Sequence, residues 1–155
     1  MPGLEPSKLP RLGSEGSDDL VGSDRRLLVV FKGSCPTCQL VLPLLEELYR
    51  RGEGRLDVVA VSQDSEVDTG AFVDKYGLTM PVYLDYPSWK LSASLGASSV
   101  PMLIDLRKGR FDSVIEGFDK AELGRLAKSL VEEQDLPWEP TSLFLDERLP
   151  DHKPG

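Results

Sequence analysis

Two short apolar runs constrain this chain more than any other feature. "RLLVVF" at 26–31 and "RLDVVAV" at 55–61 are rich in β-branched residues and nearly continuous, as in strands buried on both faces. Between them Val41, Leu44, Leu45 and Leu48 recur at i, i+3, i+4 and i+7, the apolar stripe of an amphipathic helix, which "GEG" at 52–54 stops. A strand, a helix and a second strand, all needing cover, point to parallel pairing through a crossover helix.

The alternation continues. Residues 65–76 read as a helix with Val67, Ala71, Phe72 and Tyr76 inward and Gly77 as its stop. "MPVYLD" (80–85) is a short strand, and 87–95 is a short helix ending at Gly96. "MLIDL" (102–106), the turn "RKG" (107–109) and "RFDSVIE" (110–116) form a hairpin. Asp119 is a good N-cap, with Glu122 three residues on as in a capping box, before a stripe of Leu123, Leu126, Ala127, Leu130 and Val131. The order βαβαβαββα predicts an α/β fold: a central mixed sheet of parallel strands plus a C-terminal antiparallel hairpin, flanked by helices. The 155 residues suit one domain. Residues 1–24 read as a loose lead-in with a short strand near Leu9–Leu12, 25–136 as the domain, and 137–155 as a proline-broken tail. Trp138, Leu143, Phe144 and Leu145 suggest that part of that tail packs back on the body.

The net charge of −8 argues against nucleic acid and anionic membrane as partners. Arg25–Arg26 and Arg50–Arg51 are isolated pairs, not a basic patch. No apolar run approaches the ~20 residues needed to span a bilayer. The start, "MPGLEPSKLPRLGSEGSDDL", lacks a basic segment followed by an apolar one, so a cytoplasmic location is expected. A reducing cytosol disfavours a merely structural disulfide, which turns attention to the two cysteines.

Both lie in "FKGSCPTCQLVLP" (31–43), Cys35 just after a buried strand and Cys38 in the first turn of the next helix. At a helix N-terminus the unpaired N–H groups and the dipole favour a thiolate over a thiol. A Cys35 thiolate could attack a disulfide, and Cys38, one turn on and more enclosed, could resolve the mixed disulfide. Pro36 suits the first helical position but removes one donor from the site, leaving the N–H groups of Thr37 and Cys38. Lys32 would add positive charge if it points inward.

Other readings of the pair exist. A zinc site needs four ligands, and the chain offers two cysteines and one histidine, His152, in the tail. Copper fails for the same reason, so no metal is expected, and His152 reads as a solvated residue. Two packing cysteines without chemistry are a further alternative. A second signal bears on the choice: in "SSVPMLIDL" (98–106), Pro101 opens a buried strand. A cis Val100–Pro101 bond would turn the chain there and offer Val100's backbone to a polypeptide bound as an added strand; a trans proline that simply opens the strand is the alternative.

Taken together, the strand, "CPTC", Pro43 five residues after Cys38, "VPMLID" and "GFDKAELGRLAKSL" resemble the thioredoxin superfamily in that order, over about Leu27 to Glu133. The stretch "FVDKYGLTMPVYLDYPSWKLSASLGASSVP" is similar to that of its TlpA-like, redoxin branch. The resemblance implies a thiol–disulfide oxidoreductase, with Cys35 as nucleophile, Cys38 as resolving cysteine and Pro101 as the substrate-binding cis-proline. Val100, Pro36 and Thr37 would share in substrate binding, Phe31 keeps the family's aromatic position, and Pro43 would kink the first helix.

The chain also departs from the family. Ser34 replaces the usual tryptophan, Val29 the buried aspartate of thioredoxins, and Val41 the acidic residue of TlpA-like proteins. No buried carboxylate is then expected near Cys38, since Glu46 and Glu47 read as a solvated helix face. Expected partners are disulfide-containing proteins or small thiol substrates and an external reductant. No G-x-G-x-x-G or P-loop is present and no cofactor is expected, and a monomer is anticipated. Two alternatives remain: a non-enzymatic interaction or redox-sensing domain, and a peroxiredoxin-type peroxidase. The latter's P-x-x-x-T-x-x-C pattern would need proline and threonine where Leu28 and Lys32 stand.

Overall fold

The computed structural model describes residues 4–21, 24–140, 143 and 147–155. Two short strands, β1 (Lys8–Pro10) and β2 (Ser17–Asp19), form an antiparallel hairpin. They precede β3 (Arg25–Phe31), α1 (Pro36–Arg51), β4 (Val58–Ser62), α2 (Glu66–Tyr76), β5 (Val82–Leu84) and α3 (Lys90–Leu95). Next come β6 (Met102–Arg107), β7 (Arg110–Glu116), β8 (Phe118–Asp119), α4 (Lys120–Glu133) and β9 (His152–Lys153).

The main sheet has the order β5-β4-β3-β6-β7. β3, β4 and β5 are parallel, while β6 runs antiparallel to β3 and β7 antiparallel to β6. This is the mixed α/β sheet expected, with Leu27–Phe31 and Val58–Val61 buried at its centre; the second of these strands begins at Val58, three residues later than expected, and Arg55 is exposed. The register puts Phe31 opposite Ser62 and Val30 opposite Met102. The carboxyl ends of β3 and β4 and the start of β6 therefore share one edge, where open α/β sheets bind ligands.

The opposite end of β3 is held by charge. Buried Arg25 donates to both carboxylate oxygens of Asp105, each at 3.0 Å, and to Glu133 Oε2 at 2.6 Å and Ser129 Oγ at 3.0 Å. β3, β6 and α4 are thereby tied at one point, and neither buried charge is left unpaired.

Several expectations need correction. Val67 is 81% exposed and Ala71 is also exposed, so neither faces inward. α2 is turned instead by Thr69, whose hydroxyl meets that of Ser62 at 2.7 Å, and it buries Thr69 and Phe72. Val67 and Ala71 are each two residues from Thr69, hence about 200° around the helix. Glu46 is only 3% exposed and is no solvated face. Its carboxylate accepts from the amides of Thr79 (2.7 Å) and Met80 (2.9 Å), the Thr79 hydroxyl and Arg50 Nε (2.7 Å). Glu47 does lie at the surface, paired with Arg51.

α3 begins at Lys90, later than expected, because Trp89 turns the chain with φ 52°. Buried Asp85 accepts from the amides of Leu91 (3.0 Å) and Ser92 (2.8 Å), satisfying the free donors of that helix. The lead-in is folded where it is described: Leu9 and Leu20 are buried, and Leu12 N–H donates to Val82 O at 2.9 Å, covering the β5 edge. In the tail, Trp138 and Leu143 are half-buried, with the Arg51 guanidinium 5.4 Å from the Trp138 ring; Phe144 and Leu145 lie outside the described residues. His152 is exposed but belongs to a strand, β9, which pairs with β8.

Candidate active site

The two cysteines sit at the turn from β3 into α1. Cys35 is the N-cap of the helix, in extended backbone geometry (φ −82°, ψ 118°), and its sulfur accepts the Cys38 amide at 3.3 Å. Pro36 occupies the first turn, where no N–H is required. The helix runs unbroken through Pro43, which lacks the amide that would bond to the Gln39 carbonyl. The preceding loop is pinned at three points. Cys35 N–H donates to Lys32 O at 3.2 Å, the Gln39 side-chain amide to Gly33 O at 2.8 Å, and Gly33 N–H to Asp64 Oδ2 at 2.8 Å. A Cβ on Gly33 would stand 3.1 Å from Asp64 Oδ2 and 3.2 Å from the Phe72 ring, so this close approach requires glycine.

Cys35 is half-buried and Cys38 fully buried, and both are free thiols. Burial pushes the Cys38 thiol far up from its ordinary range, opposed by a backbone hydrogen bond at Lys32 and reinforced by Cys35 and the charge of Asp64. Beneath the pair, Phe31 is buried against Phe72, with ring centroids 5.0 Å apart.

Val100 and Pro101 come to the same edge from β6. Their peptide bond is cis, and the Cys35 thiol donates to the Val100 carbonyl at 3.3 Å. The structure thus brings Cys35, Cys38, Pro36, Thr37, Val100 and Pro101 together, with Phe31 below and Pro43 farther along α1. Thr37 and Val100 are not open faces, however, being 2% and 9% exposed. The Thr37 hydroxyl donates to the carbonyl of Pro154 at 2.6 Å.

Sequence reasoning missed Asp64 and the returning tail. Asp64 was legible in principle: in a parallel pair with Phe31 opposite Ser62, the residue two beyond Ser62 lies beside the loop after Phe31. Nothing local in "DHKPG" signals that it reaches the site. On one side of the cysteine loop opens a cleft of about 670 Å³, lined by Lys32, Gln63, Asp64 and Trp89. Among the described residues, no cluster of three or more His, Cys, Asp or Glu is arranged to hold a metal.

A sequence model of the AhpC/TSA family matches residues 16–110, more than half the chain and the whole cysteine loop. The chain belongs to the AhpC/TSA family. Within 53 residues, this AhpC/TSA protein is 36% identical to the thiol-disulfide oxidoreductase ResA of Halalkalibacterium halodurans, a match spanning 33% of this chain and 30% of that relative. Among solved structures, it is similar to a thiol-disulfide isomerase from Corynebacterium glutamicum, with TM-score 0.69, 24% identity, and coverage of 83% of this chain and 95% of that one. It also resembles a secreted Mycobacterium tuberculosis disulfide oxidoreductase homologous to E. coli DsbE, with TM-score 0.67, 16% identity, and coverage of 79% and 94%. These likenesses establish a thioredoxin-like fold for the family member described here. One of them is secreted, so the cytoplasmic location expected from the sequence finds no support among them. No described helix is long and apolar enough to cross a membrane.

Proposed function

We propose that this protein is a thiol–disulfide oxidoreductase that reduces disulfides in protein substrates. The observation that carries this reading is the asymmetry of the pair: half-buried Cys35 caps the helix and receives the amide of buried Cys38 at 3.3 Å. The names of the ResA relative and the two structural neighbours support it.

The Cys35 thiolate attacks one sulfur of a substrate disulfide. A Cys35–substrate disulfide forms, and the other substrate sulfur leaves as a thiolate. Cys38 then gives up its proton to the substrate thiolate already released and attacks the Cys35 sulfur, forming the Cys35–Cys38 disulfide and releasing the second substrate sulfur as a thiolate. The substrate gains two electrons and the pair loses them, so an external dithiol must reduce the pair for another turnover. The backbone of Val100, preceding Pro101, and the Pro36–Thr37 pair flank the attacking sulfur and orient the substrate chain. Phe31 supports the loop from beneath. Burial keeps the Cys38 thiol protonated, which slows its attack on the mixed disulfide.

Reduction of insulin by dithiothreitol tests the reading. The protein should accelerate it, and Cys35→Ser should lose the acceleration. Equal rates with and without protein would sink the enzyme reading in favour of a non-enzymatic domain. Hydrogen peroxide consumption by the reduced protein should be negligible, because Lys32 stands where a peroxidase of this family would need threonine.

A further inference from the structure

The segment after Asp151 returns to the cysteines. Lys120 N–H donates to the Asp151 carbonyl at 2.9 Å, and β9 then pairs antiparallel with β8, with Lys153 opposite Phe118. Beyond it, the Pro154 carbonyl takes the Thr37 hydroxyl at 2.6 Å, and Gly155 lies directly on Val100. A side chain on Gly155 would collide with the Val100 carbonyl group and reach 3.1 Å from its amide nitrogen. On the other flank, a Cβ on Gly117 (φ 72°) would stand 2.7 Å from the Lys153 carbonyl and 3.3 Å from Pro154 Cα. Glycine at 117 and 155 lets the segment thread between β8 and the Val100–Pro101 loop without a gap.

The consequence falls on the site itself. The carbonyl covered by Gly155 is the one that accepts the Cys35 thiol at 3.3 Å. Thr37 and Val100 are buried at an edge where a substrate chain would have to dock. We propose that residues 151–155 form a strap that occupies, within the same chain, the groove a substrate polypeptide must take, so that exchange at Cys35 requires the strap to leave. This rests on the disulfide-exchange reading only for the identity of the competing ligand. The strap pairs as a strand with β8 and meets the groove through the Pro154 carbonyl and Gly155, so the competitor it mimics is an extended polypeptide with a small residue facing Val100. While the strap is down, the competent fraction of the protein is small, and the apparent rate is reduced by that fraction.

The test uses the whole chain with Gly155→Leu, whose side chain cannot fit against Val100, and separately Lys153→Pro, which removes a donor from the β8–β9 pair. Hydrogen exchange at the Lys120 amide reports whether the strap has left, independently of chemistry. Alkylation of Cys35 by iodoacetamide, read by peptide mass, reports access to the sulfur, and insulin reduction reports access for a polypeptide. Lys120 exchange should rise in both variants. The insulin rate should rise about tenfold if the strap is closed about nine-tenths of the time, and alkylation of Cys35, only half-buried with the strap down, should rise by less. A peptide of sequence Asp-His-Lys-Pro-Gly, added in trans, should slow insulin reduction by the variants competitively. Faster Lys120 exchange with unchanged alkylation and unchanged insulin reduction overturns the strap, as does unchanged Lys120 exchange in both variants. Faster alkylation with no insulin reduction by any form leaves the strap standing and removes the exchange reading instead.

Discussion

Cys38 couples the chemistry of the site to the stability of the fold. Its thiol is fully buried, and burial raises its pKa in the native state well above the ~8.5 of a free cysteine. Above that value the unfolded chain releases the proton while the native protein keeps it. The unfolded state then binds fewer protons, so stability falls with rising pH. The stabilising contribution is complete below the unfolded pKa and is lost as pH climbs toward the native one. The slope approaches about 1.4 kcal/mol per pH unit, so the loss at pH 10 is about 2 kcal/mol. Urea denaturation of the reduced protein from pH 7.5 to 10, beside Cys38→Ser, measures it. The difference in unfolding free energy between the two should shift by that amount against the wild type. Tyr83, also raised by burial and then by Asp18, acts in the same direction but from a higher starting pKa, and Tyr83→Phe in both proteins removes it. Parallel pH profiles for wild type and Cys38→Ser would refute the reasoning, because they would mean that Cys38 ionises equally easily in both states.

Other perturbations have defined outcomes. Asp64→Asn keeps an oxygen for the Gly33 amide but removes a negative charge that helps hold the Cys38 thiol up. A mixed disulfide between Cys35 and thionitrobenzoate should therefore be released faster at pH 8, and unchanged or slower release counts against the assignment. Asp105→Asn weakens the buried pair with Arg25 and should cost about 3 kcal/mol in urea denaturation. It should leave exchange at the cysteines unchanged, since the pair lies at the other end of β3. Glu46→Gln sets an amide NH₂ against Arg50 or the Thr79–Met80 amides, and should cost about 1–3 kcal/mol by thermal or urea unfolding.

Much of the frame was legible because it is local. Asp119 caps α4 by accepting the Glu122 amide at 3.0 Å, as the spacing of those two residues predicts. Gly77 takes the left-handed turn (φ 63°) that its place after the stripe demands. The apolar runs at 26–31 and 55–61 became the central strands because an uninterrupted β-branched run has no face to offer water. Cys35 and Cys38 fell at the strand-to-helix turn for the same reason: strand and helical stripe leave only a few residues between them.

What the sequence by itself determined was therefore the element order, the α/β class and the chemical pair at the head of α1. The tertiary structure alone decided which face of α2 is buried. A hydroxyl contact between Thr69 and Ser62 outweighs the apolar character of Val67. It also decided that Glu46 and Asp85 lie inside, because a carboxylate can be buried only where distant donors converge on it. The strap across Thr37 and Val100 is the extreme case. Pro154 and Gly155 are 117 and 55 residues away along the chain from the groups they cover, and only the packing of β9 on β8 brings them there. Periodicity, caps and turns report the few residues on either side. The closing of a site depends on contacts that no local pattern encodes.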